Sequence, residues 1–353
     1  MTLTELLGIQ HPIVQAPMAG SQGVDLALAV CQAGGLGSLP AATLGLDALR
    51  AALQRLQAQA AGPYNVNFFC HRPPVADAPR EAGWHQALAP FYAEAGLPLP
   101  SAPAVAARTP FGPEAAELLA AFRPPVVSFH FGLPEPALLA RVKAWGAVVL
   151  SSATTVDEAR WLQAHGADAI IAQGLEAGGH RGHFLDHDLN LQQGTLALLP
   201  QVVRAVSLPV IAAGGIADAA GVAAAQALGA AGVQVGTAYL LCPEADTAPL
   251  HRQALQAAAS RHTALTNVFT GRPARGIVNR AMRALGQAGT AISPHAPDFP
   301  LAASAMAPLR AAAEQVGRDD FTPLWAGQAA ALCRPLPAAE LTRDLAAGWQ
   351  AGR

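Results

Sequence analysis

Eight short apolar runs, each trailed by a stretch with helical spacing, follow one another along this chain of 353 residues. In order they are "PIVQAPM" (12–18), "GLGSLPA" (35–41), "YNVNFF" (64–69), "VVSFHF" (126–131), "VVLSSAT" (148–154), "AIIAQG" (169–174), "PVIAAGG" (209–215) and "GVQVGTAYL" (232–240). Several are apolar throughout rather than alternating, the mark of parallel strands covered on both faces. The segments between them carry helix signals. "LDALRAALQRLQAQ" (46–59) has helical spacing, and "TVDEARWLQAHG" (155–166) opens with Thr155 ahead of Asp157 and Glu158 and closes on Gly166. This order predicts a closed (β/α)8 TIM barrel. A doubly wound open sheet is the alternative, but no GxGxxG follows the first run, where a dinucleotide fold places it.

Two segments break the repeat. Residues 71–123 contain "HRPPVADAPR" and "LPLPSAPAVAARTPFGPE", too long for an ordinary strand-to-helix loop, and residues 279–353 are helical in pattern with no strand signal. The barrel is therefore expected over 1–70 and 124–278. Insertions on such barrels commonly sit at the C-terminal ends of the strands, so 71–123 and 279–353 are expected to form a helical cap over the mouth.

Hydrophobic residues make up 52% of the chain and charged ones 13%, enough to fill a large core. The formal charge is −2 with no block of Lys or Arg, which argues against nucleic acid or an anionic membrane as the main partner. The first residues lack the basic start and apolar run of a signal peptide, and no apolar stretch is long enough to span a bilayer. Cys31, Cys70, Cys242 and Cys333 are far apart with no CxxC pair, and read as reduced thiols of a cytoplasmic protein.

Functional residues of such a barrel belong where strands run into loops. Those positions here hold glycines and amides and few charges, a composition suited to close approach by a large planar ligand. Gly214 and Gly215 end the seventh run, with Asp218 as N-cap of the next helix, and Gly236 and Thr237 end the eighth. Free N–H groups at adjacent strand ends can hold a phosphate without lysine. The bland alternative is a tight Gly-Gly turn before a helix.

"GLEAGGHRGHF" (174–184) puts His180 between Gly178–Gly179 and Gly182, in a loop leaving the sixth strand. A mid-range pKa there suits a general base removing a proton from carbon. His180, His183 and His187 with Asp186 and Asp188 also suggest a metal site, but metal pairs at this spacing usually need a helix, which the glycines oppose. No metal is expected. For His130, one residue of register decides whether it faces the pore or the helix layer.

The set "QAPMAG", "SFHFG", "DAIIAQGLEAGGHRG" and "QVGTAYL", in this order and with "TNVFTGRPARGIVN" (266–279), resembles the nitronate monooxygenase family, closest to its first class. The resemblance spans about residues 10–280. It implies FMN on the barrel, with contacts at Asn67, Gln173, Gly178, Gly215, Gln234, Val235, Gly236 and Thr237 and a catalytic His180. It implies oxidation of alkyl nitronates such as propionate 3-nitronate with O2 to carbonyl compounds and nitrite, without NAD(P)H. The cap departs from the family pattern. A usual Tyr-Pro pair and nearby Lys are replaced by Phe299–Pro300 and Arg310, and the whole chain has three tyrosines. Arg310 is the candidate replacement cation, against its reading as a solvated helix residue.

The alternative on the same scaffold is an NAD(P)H-dependent flavin reductase acting on quinones or enoyl-acyl-carrier-protein, which shares the GGH loop and the final Gly-Thr. A metal-dependent hydrolase and a phosphate-binding module are the readings from other classes. The expected partners are a small nitronate and O2, with the chain a monomer or homodimer.

Overall fold

The computed structural model describes residues 1–75, 77–100, 108–287 and 290–351. Of the segments expected to form a cap, residues 76, 101–107, 288–289 and 352–353 lie outside the described residues. The eight apolar runs become eight parallel strands: β1 (Ile13–Gln15), β2 (Gly37–Pro40), β3 (Tyr64–Phe69), β4 (Val126–His130), β5 (Val148–Ala153), β6 (Ala169–Gln173), then, after a short β7 (Gly179–His180), β8 (Val210–Ala213) and β9 (Gly232–Val235). The sheet runs β1-β9-β8-β6-β5-β4-β3-β2. Its ends meet through a parallel bridge between Val14 and Leu36, with Gln15 N–H donating to Leu36 O at 2.9 Å. The chain is a TIM barrel.

The period of two along each strand sorts the side chains. Val14, Val126, Leu150, Ala169, Ile171 and Ile211 pack with Leu3 and Leu7 of the N-terminal helix into one buried cluster that plugs one end of the pore. Their neighbours Ile13, Ile170, Val210 and Val233 pack into a cluster with the outer helices instead. Those helices bury one face each. Leu49, Leu53 and Leu56 of the helix Leu46–Gln59 are spaced by four and three residues and are fully buried. Each such leucine contributes roughly 1.5–3 kcal/mol by leaving water. Thr155 and Asp218 cap their helices as their types predict, accepting from Glu158 N–H at 3.2 Å and Gly221 N–H at 2.9 Å.

Two boundaries differ from the sequence reading. The helix Pro113–Phe122 packs beside Leu46–Gln59 and Pro136–Ala144, and so belongs to the outer ring rather than to a cap. The helix Ala338–Ala351 lies against Val24–Gln32 and Ala219–Ala227, with Ala338, Leu341 and Leu345 in the barrel's own core. Amphipathic spacing is the same whether a helix covers a barrel or a cap, which is why sequence alone did not separate them. What remains is a second core, in which the helix Ala78–Glu94 contributes Trp84, Leu88 and Tyr92. These pack on Met282, Ala305, Met306 and Leu309, and the Tyr92 hydroxyl donates to Ala305 O at 2.7 Å.

A small antiparallel sheet was not visible in the sequence. β10 (Thr263–Thr266) pairs with β11 (Ala274–Ile277), and β11 pairs with β7, placing His180 opposite Ala274. His180 therefore stands on a short strand rather than in a free loop.

Candidate active site

The mouth opens where the inward register turns from apolar to polar. On β3 the inward positions after Asn65 are Asn67 and Phe69; on β4 they are Ser128 and His130; on β6, Gln173 follows Ile171; on β9, Gln234 lies between the outward Val233 and Val235. These residues line a cleft enclosing about 1350 Å³ of empty space, mouth included. His130 thus faces the pore. Of the residues expected to contact FMN, Asn67, Gln173, Gly178, Gly215, Gln234, Gly236 and Thr237 line this cleft together with His180. Val235 does not: its side chain is in the helix-facing core, and its carbonyl accepts Ala16 N–H at 2.8 Å.

The loop carrying His180 is held by arginines that donate to backbone carbonyls. Arg181, fully buried, donates to Gly174 O at 2.6 Å, Gln173 O at 2.7 Å and the Gln192 side chain at 2.7 Å. Arg275 donates to Leu175 O at 2.8 Å, and Arg272 donates to Arg181 O and His183 O while lying 4.0 Å from the Phe131 ring centre. Burial lowers Arg181 to about 9 and Arg272 to about 10. Gln173 clamps the same loop, its N–H donating to His180 O at 3.0 Å and its oxygen accepting Gly182 N–H at 2.8 Å.

The glycines answer to this packing more than to a ligand. A Cβ on Gly178 would lie 2.6 Å from the backbone of Ala326 and Gly327, and one on Gly182 would lie 2.8 Å from the His130 ring. Gly179, at φ +71°, is the one that faces open space.

His180 Nε2 lies 2.9 Å from the Thr270 hydroxyl, which itself donates to Arg272 O at 3.4 Å. With its proton directed at Arg272 O the hydroxyl accepts from Nε2–H, and in that tautomer His180 Nδ1 keeps a lone pair with no donor among the described residues. Burial first, then the charge of Arg108, then His130, Arg272 and His71, hold the His180 pKa well below the usual imidazole range. The expected mid-range pKa is corrected accordingly: the imidazole is neutral. His130 is likewise neutral, pushed down to about 3 by burial. Its Nε2–H donates to His180 O at 3.2 Å and its Nδ1 pairs with the Ser152 hydroxyl at 3.1 Å, so it positions His180 through the backbone.

At the other end, the amides of Gly214, Gly215, Gly236 and Thr237 find no protein acceptor among the described residues. Asp218 occupies the cap of the helix Ala219–Ala227, so these turn amides, and not that helix end, are the available donors. Thr237 Oγ accepts Gly327 N–H at 3.0 Å and keeps its own proton to give. Gln234 Oε1 is buried without a partner.

His183 is buried and its ring meets that of His187 edge to face at 5.3 Å. Among the described residues no three His, Cys, Asp or Glu side chains converge to hold a metal. Arg310 is a surface residue whose Nε bonds Glu314 at 2.7 Å. Sequence reasoning missed Arg108, Thr270 and Trp325, which no short motif marks; the cleft is lined by Arg108 and Trp325, and Phe299 lies beside them, its ring 5.4 Å from the Arg108 guanidinium carbon. No helix among the described residues is long and apolar enough to cross a membrane.

The family model for nitronate monooxygenase matches residues 1–348. A nitronate monooxygenase of Pseudomonas aeruginosa is 44% identical over 347 residues, covering 97% of both chains. One from Paraburkholderia phytofirmans is 45% identical over 346 residues, covering 97% of this chain and 93% of that one. Among solved structures, nitroalkane oxidase from Streptomyces ansochromogenes superposes with a TM-score of 0.87 at 39% identity, covering 99% of this chain and 98% of that one. FabK from Thermotoga maritima follows with a TM-score of 0.73 at 28% identity, covering 99% and 96%. With a match of this length and identity on a barrel whose mouth gathers the expected side chains, the chain belongs to the nitronate monooxygenase family and is an oxidoreductase.

Proposed function

We propose that this enzyme is an FMN-dependent nitronate monooxygenase that oxidises small alkyl nitronates such as propionate 3-nitronate with O2 to carbonyl compounds and nitrite. The observation that carries the reading is the polarity of the cleft. One end offers four unpaired backbone amides and the Thr237 hydroxyl; the other offers a neutral histidine and a cation. The first end fits a single phosphate monoester, the second an anionic substrate. Between them Gln234 Oε1 lacks a partner and Asn67 Oδ1 is open to the cleft, its amide nitrogen bonded to Ser128 Oγ at 3.0 Å; both suit the edge of a planar ring. One-electron oxidation of the nitronate and electron transfer to O2 are what bound FMN supplies there.

The protein's part is placement. His130 and Gln173 fix the His180 carbonyl, Thr270 fixes its ring, and Nδ1 accepts a proton from a neutral nitroalkane or lies against the nitronate carbon. A base of such low pKa is weak, which favours substrates that arrive already ionised. The core that the helix Ala78–Glu94 forms with Met282, Ala305, Met306 and Leu309 serves as the cover that keeps water off this chemistry. The test is anaerobic. Propionate 3-nitronate bleaches the flavin and NADH does not; the reverse would make the enzyme a reductase. Mass analysis of the chromophore released on denaturation is expected to give FMN, and FAD would overturn the phosphate assignment.

A further inference from the structure

The arginines that hold the His180 loop, Arg181, Arg272 and Arg275, spend donors on its backbone carbonyls, and Arg108 stands apart from them. Among the described residues it is the one Arg or Lys that lines the cleft. Its Nη1 is buried and meets no acceptor among the described residues. Its guanidinium lies 5.4 Å from the centre of the Phe299 ring, within cation–π distance, which holds the fork in place. Among the described residues the only carboxylate in the cleft wall, Glu176, is engaged by the Thr195 N–H at 2.8 Å and the Thr195 hydroxyl at 2.9 Å. A buried guanidinium nitrogen without an acceptor costs free energy until an anion meets it.

We propose that Arg108 is the substrate-binding residue that takes a planar anionic XO2⁻ group of the substrate, and so sets the specificity of this cleft for anions. The proposal rests on the nitronate reading above and adds the residue that recognises the charge. Two groups on such a substrate share this chemistry: the nitronate itself and a carboxylate at its far end. The fork of a guanidinium matches either through two parallel hydrogen bonds. Arg108 and His180 both lie against the Phe299 ring, the guanidinium carbon 5.4 Å and the imidazole centre 5.3 Å from its centre, and both line the cleft. A substrate anchored at Arg108 therefore lies on the His180 side of the cleft. Burial also pulls Arg108 down from the usual arginine range, a cost that a bound anion offsets.

The test uses the flavin-loaded enzyme and the substitutions Arg108→Met, which keeps the bulk and removes the charge, and Arg108→Lys, which keeps the charge and removes the fork. Nitrate serves as a planar anion that cannot react, its binding read by calorimetry. In Arg108→Met the Kd for nitrate is expected to rise about 10- to 100-fold, the range for one hydrogen bond to a charged group. Arg108→Lys is expected to fall between wild type and Arg108→Met, and carries the test if the methionine variant does not load flavin. KM then separates the two groups. A rise for both propionate 3-nitronate and propyl-1-nitronate assigns the nitronate to Arg108; a rise for propionate 3-nitronate alone assigns the carboxylate. Unchanged nitrate Kd and unchanged KM on both substrates in a variant that retains flavin would overturn the proposal. A wild-type enzyme that binds nitrate through Arg108 yet oxidises no nitronate would refute the proposed function and leave the anion site standing.

Discussion

Lowering the pH to about 5.5 should destabilise this fold by a calculable amount, because several histidines are buried in the neutral form. Burial pushes His251 down to about 4, His130 to about 3 and His183 to about 2. In the unfolded chain each titrates near 6.5. A group whose folded pKa is depressed adds stability above the unfolded value and loses it as pH falls toward the folded one. At about pH 5.5 an unfolded histidine binds nearly one proton and these folded ones almost none, so each costs about 1.4 kcal/mol relative to pH 8. The three together cost about 4 kcal/mol, a large share of the roughly 5–15 kcal/mol that holds a domain folded.

His251 isolates the effect, since it lies outside the cleft. It sits on the helix Pro249–Gln256 and its Nε2–H donates to Trp325 O at 3.1 Å. Glutamine can make the same donation and does not titrate. His251→Gln should therefore shrink the stability difference between pH 8 and about pH 5.5 by about 1.4 kcal/mol. Urea unfolding of the flavin-loaded protein at both pH values, for wild type and variant, measures it as a difference of differences. Titration of a bound phosphate is common to both proteins and cancels. An unchanged pH difference would mean that His251 is protonated in the fold or does not titrate freely when unfolded, and the argument would fail.

Gly178→Ala should weaken flavin loading by about 5- to 150-fold, since overpacking costs about 1–3 kcal/mol and its Cβ would drive Ala326 and Gly327 away from Thr237; normal loading, read by absorbance, would mean the two segments part freely. His180→Asn should keep the flavin and lose about 10²–10⁴-fold on neutral nitroalkanes but less on preformed nitronates; equal losses on both would exclude a base role. Arg310→Ala, which removes a surface pair with Glu314, should leave KM for propionate 3-nitronate unchanged and move stability by less than about 1 kcal/mol.

The barrel was legible in the sequence because its signal is local and repeated. A parallel strand buried on both faces must be apolar, the helix after it must have a buried stripe, and Thr155 and Asp218 announce their caps by type alone. The strand-end residues were legible for the same reason, since a barrel brings the ends of all its strands to one rim. The cleft takes up Asn67, Gln173, Gly178, Gly215, Gln234, Gly236 and Thr237 but turns Val235 outward, a matter of one residue of register. What tertiary structure alone decided are the contacts between distant parts of the chain. It took β11 to make His180 a strand residue, with Thr270 to fix its tautomer. Burial among arginines turned a mid-range histidine into a neutral one. Gly178 proved to be small for the sake of Ala326 and Gly327, well over a hundred residues away. The choice of cation was decided in the same way. Arg310 and Arg108 look alike in a string of letters, but the first meets Glu314 a helical turn along, and the second lines a cleft with a donor that meets no acceptor among the described residues. Charge, burial and partner are properties of position in space, and only folding assigns them.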